Sequence, residues 1–173
     1  MRRPVYMVAV AVAVLFATGP WAVAWAADTA APALNGLVMP QGYEDWPVIS
    51  VTHRLDNKTM RVILGNEVAV KAARAGQTNP WPDGSILGKV VWKEKPKESW
   101  PDAIAPDTLV HVEFMYKDSV KFAGNGTGWG WARWLGKELK PYGKDASAEQ
   151  ECIACHMSRK GKDWVFTVPA PMP

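Results

Sequence analysis

The chain has only two cysteines, and both stand in the run Cys152-Ile153-Ala154-Cys155-His156. Thiols three residues apart share one face of a helical turn, and an imidazole follows at once. That spacing suits two thioether bonds to the vinyl groups of a haem, with the histidine reaching the iron. Only residues 157–173 follow the motif. The whole body of the domain must therefore be built upstream of its cofactor segment.

This placement excludes two helical solutions. Small electron-transfer cytochromes carry the motif near the N-terminus and take a methionine from a helical segment far downstream; here Met157 and Met172 are the only methionines after the motif. Four-helix cytochromes c′ do carry it near the C-terminus, but they need long amphipathic runs, which the stretch from Gly76 to Ala148 lacks. A β-rich domain closed by a C-terminal haem segment is the expectation.

Competing uses of the cysteines are a disulfide or a zinc site. The two-residue gap and the adjoining histidine favour haem over a disulfide, and zinc would need further ligands from His53 and His111, which stand at no obvious spacing. The N-terminus points to an oxidising compartment. Arg2 and Arg3 precede an apolar run from Val5 to Phe16, and Ala24-Trp25-Ala26 offers small residues to a signal peptidase. A signal peptide over 1–26, cleaved before Ala27, and a periplasmic destination are expected. An uncleaved anchor is the competing reading, but the apolar run is shorter than the ~20 residues that span a bilayer.

The formal charge of +3 shrinks when Arg2 and Arg3 leave with the signal, and two haem propionates would cancel the remainder. No basic field is left to attract nucleic acid, or a membrane surface after cleavage. A flexible lead-in is expected over 27–41, where alanines accompany Pro32 and Pro40, and a single haem domain over 42–173. Of the ten tryptophans, Trp21 lies in the expected signal and Trp25 beside its cleavage site, and the rest are a large apolar stock for so small a domain. They could wall a flat cofactor or simply fill a core.

Along the chain, β-branched runs at Val48–Arg54 and Thr59–Leu64 flank the turn residues Asp56-Asn57-Lys58, predicting a β-hairpin. Val68, Ala69, Ala72 and Ala73 recur at helical spacing between Asn66, a candidate N-cap, and Gly76. Strands are predicted over Ser85–Lys93, Leu109–Tyr116, Gly128–Leu135 and Trp164–Thr167. A helical stretch is predicted over Asp118–Ala123, with an exposed loop over Lys93–Pro106, which holds three prolines, and a polar connector over Lys137–Ala148. The sum is an α+β fold: an antiparallel β-sheet domain with one or two short helices and a C-terminal c-type haem-binding segment.

Within that frame several side chains stand out. His156 is the expected axial ligand. Lys89 is flanked by apolar residues on either face assignment, which fits an ammonium snorkelling from an edge strand or a lysine buried beside a cofactor. Arg61, between Met60 and Val62, fits a haem propionate partner or a surface arginine. His53 and His111 are the alternatives for a sixth ligand, but a strand histidine is more often a packing residue, so an open five-coordinate iron is expected. Trp129 and Trp131 share a strand face with Arg133.

Taken in order, Gly42-Tyr43-Glu44-Asp45-Trp46, Met60 to Asn66, Trp81-Pro82-Asp83-Gly84, Lys117-Asp118-Ser119, Trp129-Gly130-Trp131, Glu151 to His156 and Asp163-Trp164-Val165-Phe166-Thr167 resemble the cytochrome P-460 family, which includes the β-type cytochromes c′. The resemblance implies a haem c bound through Cys152 and Cys155, and hydroxylamine oxidation with nitric oxide or nitrous oxide chemistry. It also implies electron transfer to a small soluble cytochrome, and a homodimer. It makes Lys89, following Asp83-Gly84, the candidate for a third covalent bond to the haem rim. Such oxidation must export protons, and Glu113, on a strand between Val112 and Phe114, is the candidate relay, with Glu149 behind it. Two alternatives stay open: a β-type cytochrome c′ that binds nitric oxide or carbon monoxide without turnover, or a plain electron carrier.

Overall fold

The computed structural model describes residues 30–172, so the expected signal peptide over 1–26 lies outside the described residues. Six antiparallel strands follow one another in simple meander order: β1 (Val48–Arg54), β2 (Thr59–Gly65), β3 (Ile86–Lys97), β4 (Trp100–Lys117), β5 (Trp129–Leu135) and β6 (Lys140–Pro141). Two short helices, α1 (Glu67–Arg74) and α2 (Glu149–His156), complete the α+β fold. Among the described residues, no helix is long and apolar enough to cross a membrane.

The predicted hairpin forms over β1 and β2, and α1 starts where capping chemistry places it. The Asn66 side chain accepts the Ala69 amide at 3.0 Å and the Ile86 amide at 3.0 Å, while its own amide donates to the Gly84 carbonyl at 2.8 Å. One residue thus caps α1 and ties it to the start of β3. Gly76, at φ 69°, turns the chain beyond the helix.

Strand register sorts the side chains onto two faces. Ser50, Ile63, Lys89, Glu113 and Arg133 form one row across β1 to β5. Two residues away on the same face run Thr52, Arg61, Val91, His111 and Leu135 on one side and Leu87, Met115 and Trp131 on the other. Both helices cover the apolar end of this face, where Ile63, Leu87, Trp129 and Trp131 pack with Ala69, Val70, Ile153 and Trp164. The opposite face carries Leu64, Val90, Val112, Phe114 and Trp134. Phe114 lies across Gly88, where a Cβ would stand 2.7 Å from its ring.

Four expectations are corrected. The lead-in is packed from Ala30 onward: Ala33, Leu37 and Met39 are buried on the second sheet face, and the Trp134 indole donates to the Ala31 carbonyl at 2.8 Å. Its alanines and prolines hid a lid over apolar surface that would otherwise be wet. The predicted loop at Lys93–Pro106 is instead a two-stranded ribbon in which Glu94 pairs Pro106 and Pro96 pairs Ile104. Each strand of a ribbon has a free edge, where proline's missing N–H costs nothing. The expected strand at Trp164–Thr167 does not form, because Asp163 and Trp164 adopt left-handed backbone at φ 49° and 64°. The predicted helical stretch at Asp118–Ala123 is a turn leading into a 3₁₀ segment at Ala123–Asn125.

Candidate functional site

Helix α2 lays the motif against the sheet face that carries Lys89 and Glu113. Ile153 is buried in the tryptophan cluster and anchors the helix, while Cys152 is half-buried, Cys155 is exposed and both thiols are free. The His156 ring sits edge-on between Trp131 and Phe166, with centroids at 4.7 and 4.9 Å. Its Nδ1 donates to the Trp164 carbonyl at 2.6 Å. That bond selects the tautomer, and leaves Nε2 with a lone pair for a metal. Burial lowers the His156 pKa, so the ring is neutral, as a ligand must be.

Beside the motif lies a crowded charge cluster. Glu113 forms an ion pair with Lys89, accepts from Arg133 Nε at 2.6 Å, and stands 3.3 Å from His111 Nε2. Burial pushes the Glu113 pKa up, but the Lys89 and Arg133 charges, His111 and a Lys89 hydrogen bond outweigh it and hold the value at about 2. His111 is also lowered, but with burial as the main cause: burial, with Lys89, Arg133 and Arg61 adding to it against the pull of Glu113, brings it to about 4. The fields of Lys89, Glu113 and Arg133 reach both Cys152 and His156. Burial raises the Cys152 pKa, keeping a thiol rather than a thiolate.

Arg61 shares the face. One of its terminal nitrogens donates to the Thr59 hydroxyl at 3.3 Å, but its Nε is buried with no hydrogen-bond partner. Three cations, Arg61, Lys89 and Arg133, therefore surround one carboxylate. Neutral His111 leaves two positive charges in excess.

The candidates named from sequence divide cleanly. Lys89, Glu113 and Arg61 share the sheet face against which Cys152, Cys155 and His156 are laid. His53 does not: its pairing with Met60, which in turn faces Trp92, puts it on the other face, where it meets Glu94. Glu149 opens α2 and accepts from Asn35 Nδ2 at 3.1 Å, which gives it a packing role at the helix start. Arg133 was grouped with Trp129 and Trp131 on one strand face, but nothing in the sequence named Glu113 as its partner. The Trp164 carbonyl is a backbone atom and carries no sequence signal beyond the Asp163-to-Thr167 motif.

A family model for cytochrome P460 matches residues 40–167. No curated protein matches the chain. Haem, the group this family implies, fits the residues present: paired free thiols, a neutral imidazole with Nε2 uncommitted, an orphaned buried guanidinium nitrogen, and a surplus of positive charge that suits propionates. That family match spans most of the chain, so the protein belongs to the cytochrome P460 family of haem proteins.

Proposed function

We propose that the protein is an exported, periplasmic mono-haem c-type cytochrome that oxidises hydroxylamine and passes the electrons to a small soluble cytochrome. Cys152 and Cys155 hold the haem through thioethers, His156 Nε2 is the one protein ligand to iron, and Arg61 and Arg133 meet the propionates. A haem so held would supply an iron with a free coordination position and the redox capacity to oxidise a small nitrogenous substrate. Lys89 is the residue we assign to a covalent bond with the haem rim, and Glu113 to taking up the protons released. Following the family, the working unit is a homodimer.

One observation carries this reading: Lys89 and Glu113 are direct cross-strand partners on the sheet face against which α2 lays the haem motif. The arrangement also explains how Glu113 can act as a base. With Lys89 as an ammonium, Glu113 binds protons too weakly to relay them at neutral pH. Once the Lys89 nitrogen is joined to the macrocycle, replacing a rim hydrogen in a two-electron oxidation that releases protons and requires an external oxidant such as a peroxide, that cation is gone. Burial is then opposed by Arg133 and His111 without Lys89, and the Glu113 proton affinity rises from its depressed value.

The same ion pair supports a second reading. An ion-paired ammonium is not a nucleophile, so a chain in which Lys89 stays with Glu113 is a binder of nitric oxide or carbon monoxide without turnover. A third, a plain electron carrier, needs a second strong axial ligand; His53 is on the wrong face and His111 is engaged with Glu113. The ferrous optical spectrum and the mass of the haem peptide separate the three. A red-shifted ferrous band, with Lys89 joined through one porphyrin to the Cys152–Cys155 peptide, is expected. Both features and hydroxylamine turnover should vanish in Lys89→Ala. A normal high-spin spectrum, unaltered in that variant, would establish the gas binder, and a sharp low-spin spectrum the carrier.

A further inference from the structure

Outside the charge cluster, a second ion pair lies deeper in the fold. Lys117, the last residue of β4, donates from Nζ to Asp163 Oδ1 at 2.7 Å, and the two side chains are only 8% and 10% exposed. Charges taken this far out of water are retained only where their geometry is closely met. Asp163 meets it with every oxygen it has. Oδ2 accepts the Trp81 amide at 2.8 Å, and the backbone carbonyl accepts the Trp129 indole N–H at 2.9 Å. The Lys117 ammonium also lies 5.0 Å from the centroid of the Trp129 ring. Three separate segments, the Trp81 turn, the end of β4 and the start of β5, converge on one residue.

What they hold in place is a strained piece of backbone. Asp163 and Trp164 are consecutive non-glycine residues in the left-handed region, at φ 49° and 64°. A tryptophan does not adopt that conformation unless its surroundings impose it. The next atom along is the Trp164 carbonyl, which receives the His156 Nδ1 proton at 2.6 Å.

We infer that Asp163, locked by Lys117, is the positioning residue for the axial histidine: it aims the Trp164 carbonyl that fixes the His156 tautomer and strengthens Nε2 as a donor. The inference rests on His156 being the iron ligand. Through the Nδ1–H bond the imidazole gains anionic character, which tightens the iron bond and favours the ferric state. The Lys117–Asp163 pair thereby sets ligand strength without touching the haem.

The test uses the purified holoprotein, with resonance Raman of the ferrous iron–histidine stretch and the reduction potential as readouts. Asp163→Asn keeps a residue tolerant of left-handed backbone and an oxygen for the Trp81 amide, but loses the charge. Because it strands a buried ammonium, the double variant Lys117→Met with Asp163→Asn stands beside it. Both are expected to lower the stretching frequency and raise the potential. Phe114→Leu, on the opposite sheet face, serves as the destabilised control, lowering Tm while leaving both readouts in place. If the Asp163 variants lose Tm as that control does and their stretch and potential stay at parent values, Asp163 is only structural and the inference falls. A His156→Ala protein with an unchanged haem spectrum would overturn the ligand assignment itself, and the inference with it.

Discussion

Glu113, on β4, and Asp163, answered by Lys117 from the same face of β4, are two carboxylates treated in opposite ways. Glu113 stands in a row with Lys89 and Arg133, next to His111 and within the field of Arg61, so cations outnumber it. Asp163 meets Lys117 alone, and backbone and indole donors satisfy its other oxygens. The first cluster is in part open to solvent, with Lys89 and Arg133 side chains 27% and 26% exposed. The second is sealed. A surplus of charge invites an anionic group from outside the chain, and a matched buried pair holds the chain itself in place. The same residue types thus make a receiving surface at one end of the sheet face and a clamp at the other.

The sharpest way to break this contrast is to remove one cation from the clamp. Lys117→Met leaves the Asp163 carboxylate buried with backbone and indole partners only, and loss of one member of a buried pair typically costs about 3–5 kcal/mol. Urea unfolding should show a loss of that size. A loss below about 1 kcal/mol would mean that the pair is a surface ion pair in disguise.

Removing the shared anion comes next. The folded Glu113 pKa of about 2, against an ordinary 4.5, means that the unfolded chain takes up a proton that the folded one refuses in that window. Its stabilisation is thus complete above about pH 4.5 and is lost as pH falls toward 2. At about 1.4 kcal/mol per unit, Glu113→Gln should cost roughly 3 kcal/mol at neutral pH and remove the stability slope in that acid range. His111 acts in the adjoining window. Its folded pKa of about 4 lies below the ordinary 6.5, so stability should fall by roughly 3 kcal/mol as pH drops from 6.5 to 4. His111→Gln should flatten that upper slope alone. Urea midpoints measured across pH for the two variants separate the contributions, and one slope persisting unaltered in both would sink the assignment.

How far sequence reaches depends on whether a feature is local. The β1–β2 hairpin, α1 between Asn66 and Gly76, and the cysteine motif were legible because each signal sits within one short segment. The ribbon within Lys93–Pro106 reads as a loop because prolines count against strands unless the free edge is known, and that edge is a tertiary fact. Lys89, Glu113 and Arg61 could be named singly. Their meeting depends on the register of β2, β3 and β4, and a shift of one residue would send each to the other face. Arg133 and the Lys117–Asp163 clamp were visible only as fragments of motifs, since partners 20 and 46 residues apart leave no periodic trace. The left-handed pair at Asp163 and Trp164 is harder still, because local preference argues against it and contacts from three distant segments override that preference.

The smallest expected effect is also the most direct test of surplus. Lys89 and Lys117 are both lysines on this sheet face, and both are paired to a largely buried carboxylate. If cations exceed need around Glu113, deleting Lys89 leaves that carboxylate still bonded to Arg133 at 2.6 Å and close to His111. Like-charge repulsion between Lys89 and Arg133 is relieved at the same time. Lys89→Ala should therefore lower stability by no more than about 1 kcal/mol in urea unfolding, against the several expected for Lys117→Met. Its fold is then intact, and any loss of haem spectrum or turnover in that variant reports on chemistry rather than collapse. Equal costs for the two lysines would show that Glu113 needs both its cations, and the excess positive charge assigned to the haem propionates would have to be found elsewhere.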